Sequence, residues 1–138
     1  MVEIKPQNLF PYLQEFQANF PVTDQTIFVF KEIIYCNINL EDYYDIYEHE
    51  LEHLRDQAEY GAEKWIINYI TKKEFRLKAE LRAYKHQLKI VKRLSKNDKQ
   101  EITGIMHECA MNISSKLYGN MISYGDAINE FTKYLKGL

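Results

Sequence analysis

Tyr47-Glu-His-Glu-Leu-Glu-His-Leu54 contains His49, Glu50 and His53 in an HExxH arrangement. On a helix, residues four apart share a face one turn up, so both imidazoles can reach a single metal ion. Glu50, next in sequence to His49, then sits beside the open coordination position, where it can take a proton from water. The stretch predicts a helix carrying part of a zinc site, and the remainder of the chain has to complete it.

The motif helix is expected from about Asp42 to Tyr60, with Gly61 as its stop. Tyr43, Tyr47, Leu51, Leu54 and Ala58 form one apolar stripe, and on a wheel of about 100° per residue His49 and His53 fall roughly 160° and 120° from its centre. The helix therefore has two occupied faces, one for the core and one for imidazoles. Acids crowd it (Glu41, Asp42, Asp45, Glu48, Glu52, Asp56, Glu59), which would draw in a cation but is also the ordinary pattern of a solvated face.

Upstream, Leu9, Phe10, Leu13, Phe16 and Phe20 predict one amphipathic helix over 6–20. Two β-branched and aromatic runs follow, Thr26–Phe30 and Ile33–Ile38, read as one long or two short strands and as the only β structure. Downstream, 62–71 reads as a short helix with the sole tryptophan, Trp65, and 75–94 as a longer helix with a stripe of Leu77, Leu81, Tyr84, Leu88 and Val91. Asp98 and Glu101 have capping-box spacing for a helix with apolar positions out to Leu117, and Ser123 with Asp126 starts a last helix to about Leu135. Between these two lies a Gly-punctuated aromatic loop, 117–125.

The 138 residues read as a single domain, 1–138, of the α+β class: predominantly helical, with a small sheet beside the motif helix. Neither a leader nor an apolar run of membrane-spanning length is apparent, so the chain is expected in the cytoplasm, with no membrane partner. Cys36 and Cys109 lack CxxC spacing and read as buried apolar residues in a reducing compartment. Charge is segregated: residues 1–60 carry twelve acids against three Lys/Arg, and residues 72–96 carry ten Lys/Arg against two acids. Lys78, Arg82, Lys85, Lys89, Arg93 and Lys96 form a basic stripe without an aromatic or Gly-rich nucleic-acid signature, so a solvated face is expected rather than a nucleic-acid partner.

A catalytic zinc takes three protein ligands and one water, leaving one ligand to find. Glu80 is the first choice, a lone acid at the edge of its helix's apolar stripe, which a returning helix could bring to His49 and His53; otherwise it pairs with a neighbouring Lys or Arg. Glu59 lies ten residues after His49, but Asp56 stands where a turn-permitting glycine would be needed, and Glu74 is a candidate by proximity alone. His107, Tyr118 and Tyr124 are candidates for stabilising an oxyanion, whereas His86, among Lys85, Gln87 and Lys89, reads as a surface residue. Glu50-Leu-Glu-His53 is also an ExxH motif, but a di-iron bundle needs a second one, which the sequence lacks.

Three segments carry a resemblance: Ile33-Ile-Tyr-Cys-Asn-Ile-Asn-Leu40 before the helix, His49-Glu-Leu-Glu-His53, and Ala79-Glu-Leu-Arg-Ala-Tyr84. Together, over about residues 33–90, they resemble the small cytoplasmic gluzincins, zinc metallopeptidases of the ImmA/IrrE type and related short phage or prophage peptidases. Arg82 and Tyr84 depart from the acid and the Asn or Asp usual in that ligand segment, so the groups orienting the ligands must differ. The resemblance implies a zincin-like fold, Zn²⁺ on His49, His53 and Glu80, and hydrolysis of a protein or peptide substrate with Glu50 as general base. The rival expectation is a non-catalytic phage or prokaryotic accessory protein of the same fold, with a structural or vestigial metal site.

Overall fold

The computed structural model describes residues 2–138. Among these, strand β1 (Glu3–Lys5), helix α1 (Leu13–Asn19) and strands β2 (Phe28–Phe30) and β3 (Ile33–Tyr35) precede five helices: α2 (Tyr44–Tyr60), α3 (Ala62–Thr71), α4 (Lys73–Leu94), α5 (Lys99–Ile113) and α6 (Tyr124–Lys136). The sheet has the order β1-β3-β2, with β1 parallel and β2 antiparallel to β3. The chain is thus α+β and mostly helical, and no described helix is long and apolar enough to cross a membrane.

Two short strands form where one or two were expected, because Lys31 and Glu32 both adopt left-handed backbone, φ 49° and 68°. That conformation at both central positions makes a two-residue hairpin turn whose twist matches its strands, pairing Phe30 with Ile33 and Phe28 with Tyr35. The β1 strand was not expected: three residues are too short for an alternation signal, and β3 recruits them in parallel register, Glu3 opposite Ile33. The single helix expected over 6–20 is also corrected. It divides into a 3₁₀ turn (Gln7–Leu9) and α1, because Pro11 keeps the preceding Phe10 out of the helical region, at φ −63°, ψ 123°.

Helix α2 lies between the sheet and α4. Tyr47 and Leu54 pack with Val29, Ile34, Cys36 and Leu40. Leu51 packs partly buried against the same cluster, but the ends of the expected stripe do not follow: Tyr43 is half exposed and Ala58 lies in solvent. What α2 buries instead is polar, Glu48, His49, Glu50, His53 and Gln57, because α4 covers the side away from the sheet. Asp45 and His49 meet Gln87, whereas Asp56 meets Arg82, so the two helices run antiparallel.

Gly61 stops α2 as expected, with φ 100° and its N–H bonded to Gln57 O. This reversal lets α3 cross back so that α4 can return along α2. Asp98 caps α5 and Ser123 caps α6 through their side-chain oxygens, but α5 ends at Ile113, short of Leu117, which falls in a 3₁₀ turn (Lys116–Tyr118). Leu88, Cys109, Ile113 and Phe131 close a second apolar cluster between α4, α5 and α6, and both cysteines are buried free thiols.

Glu32 bears the steric cost of left-handed backbone, about 1–2 kcal/mol for a residue with a β-carbon, less what glycine loses in chain entropy. Glu32→Gly is therefore expected to stabilise the fold by on the order of 0.5–1 kcal/mol, read as a raised urea midpoint at unchanged slope.

Candidate metal centre

His49 and His53 project from α2 toward α4, which presents Glu80 between them. His49 Nε2 lies 3.2 Å from Glu80 Oε1, and His53 Nε2 lies 3.2 Å from Glu80 Oε2. The three side chains are buried, with one ligand atom of each lying within 4.8 Å of the others. The ion-pair partners of Glu80 are these two imidazoles, not a lysine or arginine of α4.

The surrounding hydrogen bonds fix which ring nitrogen faces Glu80. Asp45 Oδ2 accepts from Gln87 Nε2 at 2.8 Å, which turns Gln87 Oε1 toward His49 Nδ1, 3.0 Å away. An amide oxygen can only accept, so His49 donates from Nδ1; Nε2 then meets Glu80 with a proton when the ring is charged and with its lone pair when the ring is neutral. A lone pair against a carboxylate is repulsive, and either a proton or a cation between them removes the repulsion. Two imidazole nitrogens and a carboxylate oxygen are the donor set of a zinc site with an open position, and the residues fit that ion.

Glu80 is held further by Tyr69, whose hydroxyl donates to Oε2 at 2.5 Å. Burial pushes the Glu80 carboxyl up, but the charge of His53 and the hydrogen bonds of both imidazoles outweigh it and hold it well below the usual carboxylate range. His53 is fixed by packing, between the rings of His49 at 5.0 Å and Trp65 at 5.3 Å; its Nδ1 is buried without a hydrogen-bond partner among the described residues.

The site opens on a cavity of about 600 Å³ lined by His49, Glu50, His53, Glu80, Tyr84 and Tyr118, among others. Glu50 makes no hydrogen bond or ion pair among the described residues. Burial raises its carboxyl to about 7, with the charge of His49 opposing and that of Glu80 reinforcing the shift. The Tyr84 and Tyr118 hydroxyls are 2.7 Å apart, and burial together with nearby acidic groups holds both well above the usual phenol range, so they remain protonated.

The other candidates lie apart. Glu59 is exposed beside a different depression, with Asp56 and Arg82, and Glu74 is exposed near the start of α4. His107 and Tyr124 contact each other on the exposed flank of α5 and α6, outside the cavity lining. His86 is not a free surface residue: it is half buried, with Nε2 2.9 Å from Glu48 Oε1 on α2. Within the basic stripe, Arg82 pairs with Asp56 and Lys85 with Glu130, so part of that charge is neutralised inside the chain.

Asp45, Gln87, Tyr69 and Arg76 were not anticipated. The first two had a signal in spacing, Asp45 four residues before His49 and Gln87 seven after Glu80, each on the face of its helix that carries a ligand candidate. Tyr69 and Arg76 had none. Buried Arg76 donates to the carbonyls of Tyr69 and Tyr118, tying α3 to the loop that carries Tyr118. Gly119 in that loop has φ 84°, and a β-carbon there would lie 3.0 Å from Arg76 Nη2.

No protein-family model, curated protein or solved structure matches this chain. The likeness to gluzincins therefore rests on the residues themselves.

Gln87→Leu removes the acceptor that sets the His49 tautomer while keeping side-chain bulk. A zinc ion held by His49, His53 and Glu80 is expected to lose about 10–100-fold in affinity in this variant, measured by competition with a chromophoric chelator, with little change in far-ultraviolet circular dichroism.

Proposed function

We propose that this chain is a zinc-dependent peptidase with a zincin-like arrangement, in which His49, His53 and Glu80 hold the metal and Glu50 is the general base. One observation carries the reading. Beside three converging side chains that could hold a metal stands Glu50, buried, lining a cavity large enough for a substrate segment and unpaired among the described residues. A structural metal site has no use for such a group.

Zinc bound there would polarise the scissile carbonyl and lower the pKa of water toward neutrality. Glu50, with its carboxyl raised to about 7, accepts a proton from the attacking water and returns it to the leaving amine. The water oxygen bonds to the carbonyl carbon, the carbon–nitrogen bond breaks, and an acid and an amine result. Tyr118, coupled to Tyr84 and still protonated, is the cavity-lining hydroxyl suited to donate to the developing oxyanion. His107 and Tyr124 are on the wrong side of α5 for that role.

Glu50→Gln keeps the shape of the side chain and removes its basicity. Turnover of peptides in a mixed library, read by mass spectrometry, is expected to fall by about 10²–10⁴-fold with zinc content unchanged. Undiminished turnover would exclude Glu50 from the reaction. Bound zinc with no turnover in either protein would favour the non-catalytic accessory reading.

A further inference from the structure

The cavity has two unlike ends, and the triad lies between them. Asp45, His49 and His53 succeed one another at four-residue steps along α2, each about 6 Å from the last. Beyond His53 the wall is aromatic: Trp65 stacks on Tyr69 at 4.9 Å, and Phe16 stacks on the other side of the cluster, 5.7 Å from Tyr69, with Phe20 and Phe28 adjoining. Beyond His49 the lining turns acidic, with Asp45 at the start of α2 and Glu108, beside Asn112, on α5. Glu108 is exposed and has no ion-pair or hydrogen-bond partner among the described residues.

Four carboxylates line the cavity, Asp45, Glu50, Glu80 and Glu108, and no lysine or arginine does among the described residues. The chain is nearly neutral overall, at −2, but residues 1–60 carry twelve acids against three Lys/Arg, and the cavity shares that acidic bias with no cation of its own among the described residues. One divalent ion would offset Glu80 and Glu50 beside it and leave Asp45 and Glu108 at the far end unbalanced. An anionic ligand, a phosphate or an acidic peptide, would meet only like charge there. Half-exposed Tyr43 and Leu117 flank that end and offer apolar cover to the stem of a long side chain.

We propose that the cavity takes a peptide segment with a lysine, arginine or free amino group on one side of the scissile bond and a large apolar side chain on the other. The cationic group meets Glu108 and Asp45, and the apolar side chain packs against the aromatic wall. This specificity rests on the peptidase reading for turnover but not for binding.

Trp65 lies in the cavity wall and is the only tryptophan, so its fluorescence reports occupancy. Zinc-loaded Glu50→Gln protein is titrated with phenylalanine-containing octapeptides that differ only in having Lys, Gln or Glu within two positions of the phenylalanine. The Lys peptides are expected to bind about tenfold tighter than the Glu peptides, and Glu108→Lys, a change at an exposed position, is expected to abolish or reverse that order. Equal binding of the three, or an order unchanged by Glu108→Lys, would overturn the proposal and leave the acids to attract the metal only. The same peptides given to wild-type protein separate the two claims. Charge-selective binding without cleavage would sustain the specificity and remove the peptidase; cleavage without charge preference would do the reverse.

Discussion

One buried carboxylate, Glu80, shared between two buried imidazoles, sets the conditions for the rest of the structure. An ionised carboxylate taken out of water costs several kcal/mol unless its oxygens are satisfied. Here Oε1 faces His49, and Oε2 faces both His53 and the Tyr69 hydroxyl. The partners come from two helices, His49 and His53 from α2 and Tyr69 from α3, so the centre forms only when α2, α3 and α4 are docked together. The Gly61 reversal, the length of α3 and the antiparallel return of α4 all serve that docking.

The arrangement explains why α2 buries so much polarity. A helix packed for stability alone would turn Tyr43 and Ala58 inward, yet both are more exposed than Glu48, His49, Glu50, His53 and Gln57. Each of these buried polar groups except Glu50 has an assigned partner or packing contact. Gln57 bonds Val29 O and the Lys31 amide and so anchors the edge strand β2 to the helix. Glu48 accepts from His86, and His49 donates to Gln87. Among the described residues of α2's buried polar set Glu50 alone is left without a partner, and that exception directs attention to chemistry rather than to folding.

The parts legible in the sequence were those set by local rules. Gly61, Asp98 and Ser123 marked helix ends because turning and capping need particular residues there. The HExxH spacing put both imidazoles on one face, and Glu80 stood out because an acid beside an apolar stripe has to answer to something across it. What was hidden depended on partners distant in sequence. Strand β1 exists only through β3, and the break at Pro11 outweighed an apolar periodicity that continued through it. The stripe on α2 misled because it assumed one covered face, whereas the sheet and α4 cover two. His86 looked like a surface residue among lysines until α4 was laid against Glu48.

The most direct test is zinc K-edge absorption spectroscopy on protein incubated with one equivalent of zinc and dialysed, for wild type and for Glu80→Gln. The expected wild-type result is one tightly held zinc per chain, with two imidazole nitrogens and carboxylate or water oxygens at about 2.0–2.2 Å, and weakened or lost retention in Glu80→Gln. A wild-type protein that retains no zinc, or one that holds it without imidazole ligands, would contradict the assignment of His49, His53 and Glu80 as a metal centre.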